Sequence, residues 1–160
     1  MKRFYIGNDK QRAKFLDLKY SFEHFKLDRN SKNLITRICN DILKYGEPTI
    51  LISEGIMGYY TYYATGLIDN GTSIVINPIF YTKKGELVAP SSDIIHKGIS
   101  KNIVILHKDL PFLKNTINLL ESNGSTYEIV DNTTNSVVSD IIGRYIKTIK
   151  KKSKLWSKYW

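Results

Sequence analysis

The sequence predicts an α/β protein with a Rossmann-like, mostly parallel sheet flanked by helices. Three observations carry that prediction. Short, β-branched, largely apolar runs recur at residues 49–53, 73–76 and 103–106, each of the kind that is buried on both faces of a sheet, and residues 126–130 read as a fourth strand. Stretches with apolar residues at helical spacing stand between them. Gly46, Pro48, Gly71, Pro111 and Gly124 punctuate the junctions. Strands that alternate with helices pair in parallel through right-handed crossovers.

The elements follow in chain order. Residues 10–29 mix charges with Phe15, Leu16, Leu18, Tyr20, Phe22 and Phe25, and within them residues 21–27 read as a short edge strand or loop. Ser31 is a plausible N-cap for a helix carrying Leu34, Ile35, Ile38, Ile42 and Leu43, closed by Gly46 and Pro48. The run 49–53 is the first buried strand, and residues 54–58 form a glycine-containing turn into a tyrosine-rich helix over 59–67. Gly71 leads into the strand 73–76, and Ile79, Phe80 and Tyr81 continue extended past Pro78 to a tight turn at Lys83, Lys84 and Gly85. A loop over 89–102 precedes the strand 103–106. Asp109 is a candidate cap and Pro111 a candidate first residue for the next helix, which carries Leu113, Ile117 and Leu120 and stops at Gly124. The strand 126–130 and a last helix from 136 to 152 or beyond, with Val138, Ile142, Tyr145 and Ile149 on one face, complete the chain.

The 160 residues suit one domain with a real core. No apolar run approaches the roughly 18 residues of a membrane span. Tyr5, Asn8 and Asp9 interrupt any signal-peptide core after Lys2 and Arg3. Cys39 is the sole cysteine, and His24, His96 and His107 are the histidines. That excludes a disulfide framework and zinc sites of the Cys₄ or Cys₂His₂ type, no metal site is expected, and a reducing cytoplasmic setting is the simplest reading. Cys39 shares an apolar helical face with Ile35 and Ile42 and reads as core.

The formal net charge of +9 is unevenly spread. Residues 1–44 hold 11 basic and 5 acidic side chains, residues 45–143 hold 6 and 10, and residues 144–160 hold 7 and none. The tail interleaves Arg144, Lys147, Lys150, Lys151, Lys152, Lys154 and Lys158 with Tyr145, Trp156, Tyr159 and Trp160. Lysine neutralises phosphate and aromatic rings stack on bases, so this pattern suits nucleic acid. It also suits packing of an amphipathic helix on the body and, less well, an anionic membrane surface. Tyr59, Tyr60, Tyr62 and Tyr63 read first as packing against the sheet, with a homodimer contact as the alternative. No Walker A, G-x-S-x-G or H-E-x-x-H pattern occurs.

Four segments together resemble the type I phosphoribosyltransferases, especially the orotate enzymes. Phe25-Lys26-Leu27-Asp28 is similar to the extended segment ahead of that family's first core helix. Residues 50–58 resemble its pyrophosphate loop, with Gly55 and Gly58 as phosphate-binding candidates. Ile79-Phe80-Tyr81-Thr82-Lys83-Lys84 falls where the family has a basic strand end. Residues 101–106, followed by a helix ending Glu121-Ser122-Asn123-Gly124, resemble the strand and helix of the phosphoribosyl pyrophosphate signature. The resemblance implies a domain over 1–135, Mg²⁺ with phosphoribosyl pyrophosphate if the protein is active, and a dimer. Where the family has two adjacent carboxylates, this chain has His107 and Lys108 ahead of Asp109. Cations there oppose an oxocarbenium-like transition state.

The expectation is therefore a phosphoribosyltransferase-like domain with a basic helical extension over 136–160, more scaffold than enzyme and needing no cofactor. It would bind RNA or DNA through its basic terminal regions, with His107 and Lys108 as further anion candidates. The alternative is a divergent transferase acting on orotate or another nucleobase, with Lys83 and Lys84 on pyrophosphate and Asp109 in place of the acid pair. A structural subunit of a larger complex is the third reading.

Overall fold

A computed structural model describes residues 1–27, 33–42, 47–67, 70–88, 90 and 102–158, with side chains described as far as residue 150. Six strands form one sheet: β1 (Lys2–Ile6), β2 (Glu23–His24), β3 (Thr49–Glu54), β4 (Gly71–Ile76), β5 (Asn102–His107) and β6 (Thr126–Val130). Their order is β2-β1-β3-β4-β5-β6 and every pairing is parallel. The helices are α1 (Lys10–Tyr20), α2 (Leu34–Asp41), α3 (Gly55–Leu67), α4 (Leu113–Ser122) and α5 (Asn135–Lys158).

The parallel α/β class agrees with the sequence, but two elements were not foreseen. Strand β1 opens on Lys2 and Arg3, and only Tyr5 and Ile6 are fully buried, so it lacks the continuous apolar run of a central strand. Helix α1 is charged at most positions and buries only Arg12, Ala13 and Leu16, so its apolar stripe is narrow. Asp9 caps it, its carboxylate accepting from the Arg12 backbone N–H at 3.0 Å, and Ser21 at φ 60° ends it. The 21–27 segment contributes β2, a two-residue edge strand. Ser31, the expected cap of α2, lies outside the described residues, as does most of the 89–102 loop.

Successive residues of the inner strands point to opposite, equally buried faces. Ile50, Ile52, Ile74, Ile76, Ile103 and Ile105 meet Ala13, Leu16, Val138, Ile141, Ile142 and Ile146 of α1 and α5. On the other face Val75, Val104 and Leu106 meet Tyr59, Tyr62, Tyr63, Phe80 and Leu120, while Leu51 and Ile6 meet Met57, Ala64, Ile38, Cys39 and Ile42. Cys39 is core, as its spacing indicates.

Three expectations are corrected by this packing. Tyr59, Tyr62 and Tyr63 are 5, 0 and 3 % exposed, packed edge-on against each other and Phe80, so they are not available as a homodimer surface. Residues 54–58 are not a loop, because α3 begins at Gly55 directly after β3. The first half of α5 belongs to the core, so the segment from 136 to Ile146 is body rather than extension. Helix α5 runs alongside α1: Arg12 bonds Asn135 near the start of both helices, and Tyr20 at the end of α1 reaches Ser139. Its 24 residues span about 36 Å, nearly twice the reach of a six-residue strand.

Candidate functional site

In open parallel sheets, ligands sit beyond the carboxyl ends of the strands where the strand order reverses. Here the reversal falls between β1, which leads outward to β2, and β3, which leads the other way. A cavity of about 360 Å³ lies at that point, lined by Tyr5, Asn8 and Asp9 from β1 and its loop, Glu54, Gly55, Ile56 and Met57 from the β3–α3 junction, and Ile76 and Asn77 after β4.

Arg12 holds Glu54, one of the lining residues. Its side chain is 7 % exposed, and Nε donates to Glu54 Oε1 at 2.5 Å. Nη1 donates to Asn135 Oδ1 at 2.6 Å and Nη2 donates to the Thr133 carbonyl. One guanidinium thus joins α1, β3 and the start of α5. Burial raises the Glu54 pKa above the ordinary carboxylate range, and Arg12 holds it partly down. Tyr5 is fully buried and its hydroxyl makes no hydrogen bond of normal geometry. The Asp9 backbone N–H faces the hydroxyl oxygen and stabilises the ionised form slightly, but burial and the nearby Glu54 and Asp9 charges dominate and push the Tyr5 pKa well up. The Tyr5 proton has no acceptor in the structure. Asn77 sits at φ 47°, and its Oδ1 accepts from the His107 backbone N–H at 2.7 Å, which joins the ends of β4 and β5.

The β3–α3 junction is the sharpest strand-to-helix turn among the described residues. Gly55 takes φ 61° there, and a Cβ built on it would meet nothing within 4 Å. Gly58 has a different task. It lies inside α3, and its Cβ would stand 2.7 Å from Val75 Cγ1 and 3.4 Å from the Pro78 backbone. Gly58 therefore lets α3 approach β4 and is not part of a phosphate loop. Gly55 lines the cavity.

A second cavity, also about 360 Å³, shares Gly55 and Asn77 with the first and runs between the β4 and β5 ends. It is largely apolar, walled by Pro78, Ile79, Phe80, Tyr81, Leu110, Pro111 and Phe112. Residues 79–81 are not a continuing strand. Tyr81 bridges Leu87 across a short antiparallel turn that carries Lys83 and Lys84, with Gly85 at φ 81° against the Phe112 ring. Lys83 lines the mouth of this groove.

The other expected residues are distributed as follows. His107 and Lys108 lie at the end of β5, where ligand-bearing loops stand. His107 Nδ1, however, accepts from the Asp109 backbone N–H at 3.0 Å, and Lys108 pairs with Asp131 at 3.7 Å on the surface. Asp109 caps no helix: α4 starts at Leu113, after Phe112 in a left-handed conformation. Arg144 pairs with Glu128 at 2.9 Å, which removes it from the free cations of the tail. Lys147 and Lys150 are exposed. Lys151, Lys152, Lys154, Trp156, Lys158 and Trp160 lie outside the described side chains, and His96 outside the described residues. His24 bonds the Gly7 carbonyl at 2.8 Å against the Tyr5 ring, a structural contact. Among the described residues, no group of three His, Cys, Asp or Glu stands close enough to hold a metal ion, and no helix is long and apolar enough to cross a membrane. Tyr5, Asn8, Asp9 and Arg12 were missed by sequence reasoning, because β1 and α1 were not recognised and the polar pair between them had no strand end to belong to; Asn77 was missed although its strand was recognised, because its role depends on the β5 end it bonds.

No family model matches the chain, and no curated protein matches it. Among solved structures, a protein of Xanthomonas campestris pv. campestris, described as a hydrolase assigned to the alpha/beta superfamily, superposes with a TM-score of 0.57. The match covers 82 % of this chain and 87 % of that one at 9 % identity. The likeness is one of fold. It overturns the expected phosphoribosyltransferase resemblance, which rested on element order and hydropathy. Any doubly wound parallel sheet shares that order, and the two features that would have been specific, a phosphate loop at residues 54–58 and a basic strand end at 79–84, have other structures here.

Proposed function

We propose that the chain is a non-catalytic protein on an α/β-hydrolase-like scaffold, holding a small organic ligand at the switch point of its sheet. One observation carries the reading: the residue at positive φ in the β3–α3 turn is glycine, with open space where a side chain would stand. In α/β-hydrolases this sharp strand-to-helix turn presents the nucleophile, followed along the chain by an acid and a histidine. Gly55 offers neither hydroxyl nor thiol. The loop after β6 is Asp131-Asn132-Thr133-Thr134 and contains no histidine to act as base. Ser53, two residues earlier, is wholly buried. What the site does offer is two cavities that meet at Gly55, of a size suited to a small ligand.

The test has two arms on the intact protein. Short p-nitrophenyl esters and a fluorophosphonate probe are expected to show no turnover and no labelling. A ligand-observed fragment screen, followed by amide shift mapping, is expected to place hits at Gly55 and Asn77. Covalent labelling at any serine, or hits only elsewhere, overturns the reading.

A second reading keeps the basic terminus as a polyanion-binding element. It is favoured by the continuation of α5 to Lys158 with exposed Lys147 and Lys150 and no acidic residue after Asp140. RNA or DNA binding that weakens steeply between low and moderate salt supports it. Lys150, Lys151 and Lys152 changed together to Ala with no loss of binding refutes it.

A further inference from the structure

Among the described residues, twelve line the apolar groove beside Gly55, and one of them, Lys83, is charged. We propose that this groove takes an anionic amphiphile, a small organic carboxylate whose apolar body lies along the groove and whose carboxylate is met by Lys83 at the mouth. The inference rests on the ligand-holding reading of the site and names the class of ligand.

Three features of the groove support it. Its walls are Pro78, Ile79, Phe80, Leu110, Pro111 and Phe112, so an apolar body gains by leaving water, and few polar atoms there would lose hydrogen bonds to it. Phe112 and Ile79 remain 38 and 48 % exposed, large apolar side chains left partly open to solvent along the groove. Among the described residues no carboxylate lines the groove, in contrast to the neighbouring polar cavity, where Asp9 and Glu54 would repel an anion. Charge therefore sorts the two cavities. The carboxylate is directed to the Lys83 end, away from Glu54, and the opposite end of the ligand comes to Gly55 and Asn77. Lys84, its neighbour in the same turn, does not line the groove and serves as an internal control.

The experiment titrates octanoate and 1-octanol, equal in chain length and different in charge, into the intact protein, read by calorimetry and by amide shifts at Ile79, Leu110 and Phe112. Octanoate is expected to bind about 5-fold more tightly than octanol, a difference of about 1 kcal/mol, as suits one solvent-exposed ion pair. Lys83→Gln is expected to erase the preference while leaving octanol binding intact. Lys84→Gln should leave both unchanged, and Ile79→Trp, which fills the groove from an exposed position, should abolish both. Equal binding of the two ligands by the parent, or a preference that survives Lys83→Gln, refutes the anionic class and leaves the ligand-holding site standing. Shifts confined to residues outside both cavities refute the site as well.

Discussion

Gly58 fixes how closely α3 can lie on β4, and replacing it with alanine tests that contact quantitatively. The new Cβ would stand 2.7 Å from Val75 Cγ1, well inside van der Waals contact, and 3.4 Å from the Pro78 Cα and Cβ. Val75 is fully buried in a strand, and its β-branched side chain has little rotamer freedom to yield. Overpacking of this kind costs about 1–3 kcal/mol, and alanine returns about 1 kcal/mol of helix propensity, so a net loss of about 1 kcal/mol is expected. Val75→Ala alone removes two buried methyl groups and costs about 2 kcal/mol, including the cavity left behind. In that background the Gly58→Ala methyl enters the vacated space, and the same substitution becomes stabilising by about 1 kcal/mol through propensity and filling. The double-mutant cycle, read by urea unfolding, should thus show a favourable coupling of about 2 kcal/mol. If Gly58→Ala is as stable as the parent, or the two changes add within about 0.5 kcal/mol, α3 has room at this point and the argument fails.

Three further outcomes follow from the same geometry. Arg12→Met leaves the Glu54 carboxylate, whose side chain is 24 % exposed, without its cation and should cost about 3 kcal/mol near neutral pH. Because burial already raises the folded Glu54 pKa above its unfolded value, Glu54 contributes most to stability below the unfolded pKa, and that contribution falls away as pH rises through the folded one. Removing Arg12 lifts the folded value further, so the deficit of the variant should shrink between pH 7 and pH 4; an unchanged or larger deficit in acid contradicts the assignment. Tyr5→Phe removes a buried hydroxyl whose proton has no acceptor and should leave stability unchanged or raise it by up to about 1 kcal/mol, whereas a loss above that value in thermal unfolding would reveal a partner. Gly55→Ala and Gly124→Ala meet no atoms within 4 Å at φ 61° and 69°, so each should cost about 1–2 kcal/mol in urea titrations from backbone conformation alone; a neutral result at either shows that the turn relaxes.

The central strands and the long helices were legible because they obey one rule each. Residues 103–106 and 74–76 are continuous apolar runs, which suit a strand buried on both faces. Leu120 with Gly124, and Val138 with Ile142, mark helix faces and ends by spacing. Strand β1 broke the rule: Lys2 and Arg3 occupy its half-buried beginning, and its burial depends on α5 over one face and on α2 and α3 over the other, elements remote in sequence. The tyrosine-rich helix shows the opposite failure. Its spacing favoured packing on the sheet but left a surface contact open, and the sheet beneath and α4 beside it decide that Tyr59, Tyr62 and Tyr63 are interior.

By itself, then, the sequence determined the parallel α/β class, the positions of four of the six strands, the burial of Cys39 and the uneven distribution of charge. These depend on neighbours within a few residues, through side-chain period and burial tendency. The tertiary structure alone decided where the strand order reverses, that Gly55 stands at a sharp turn with open space around it while Gly58 is closed in by Val75, and that Arg12 joins three elements. It also set Lys83 at the mouth of an apolar groove. Each of these is a relation between residues tens of positions apart, fixed by the packing of whole elements, and no local pattern encodes it.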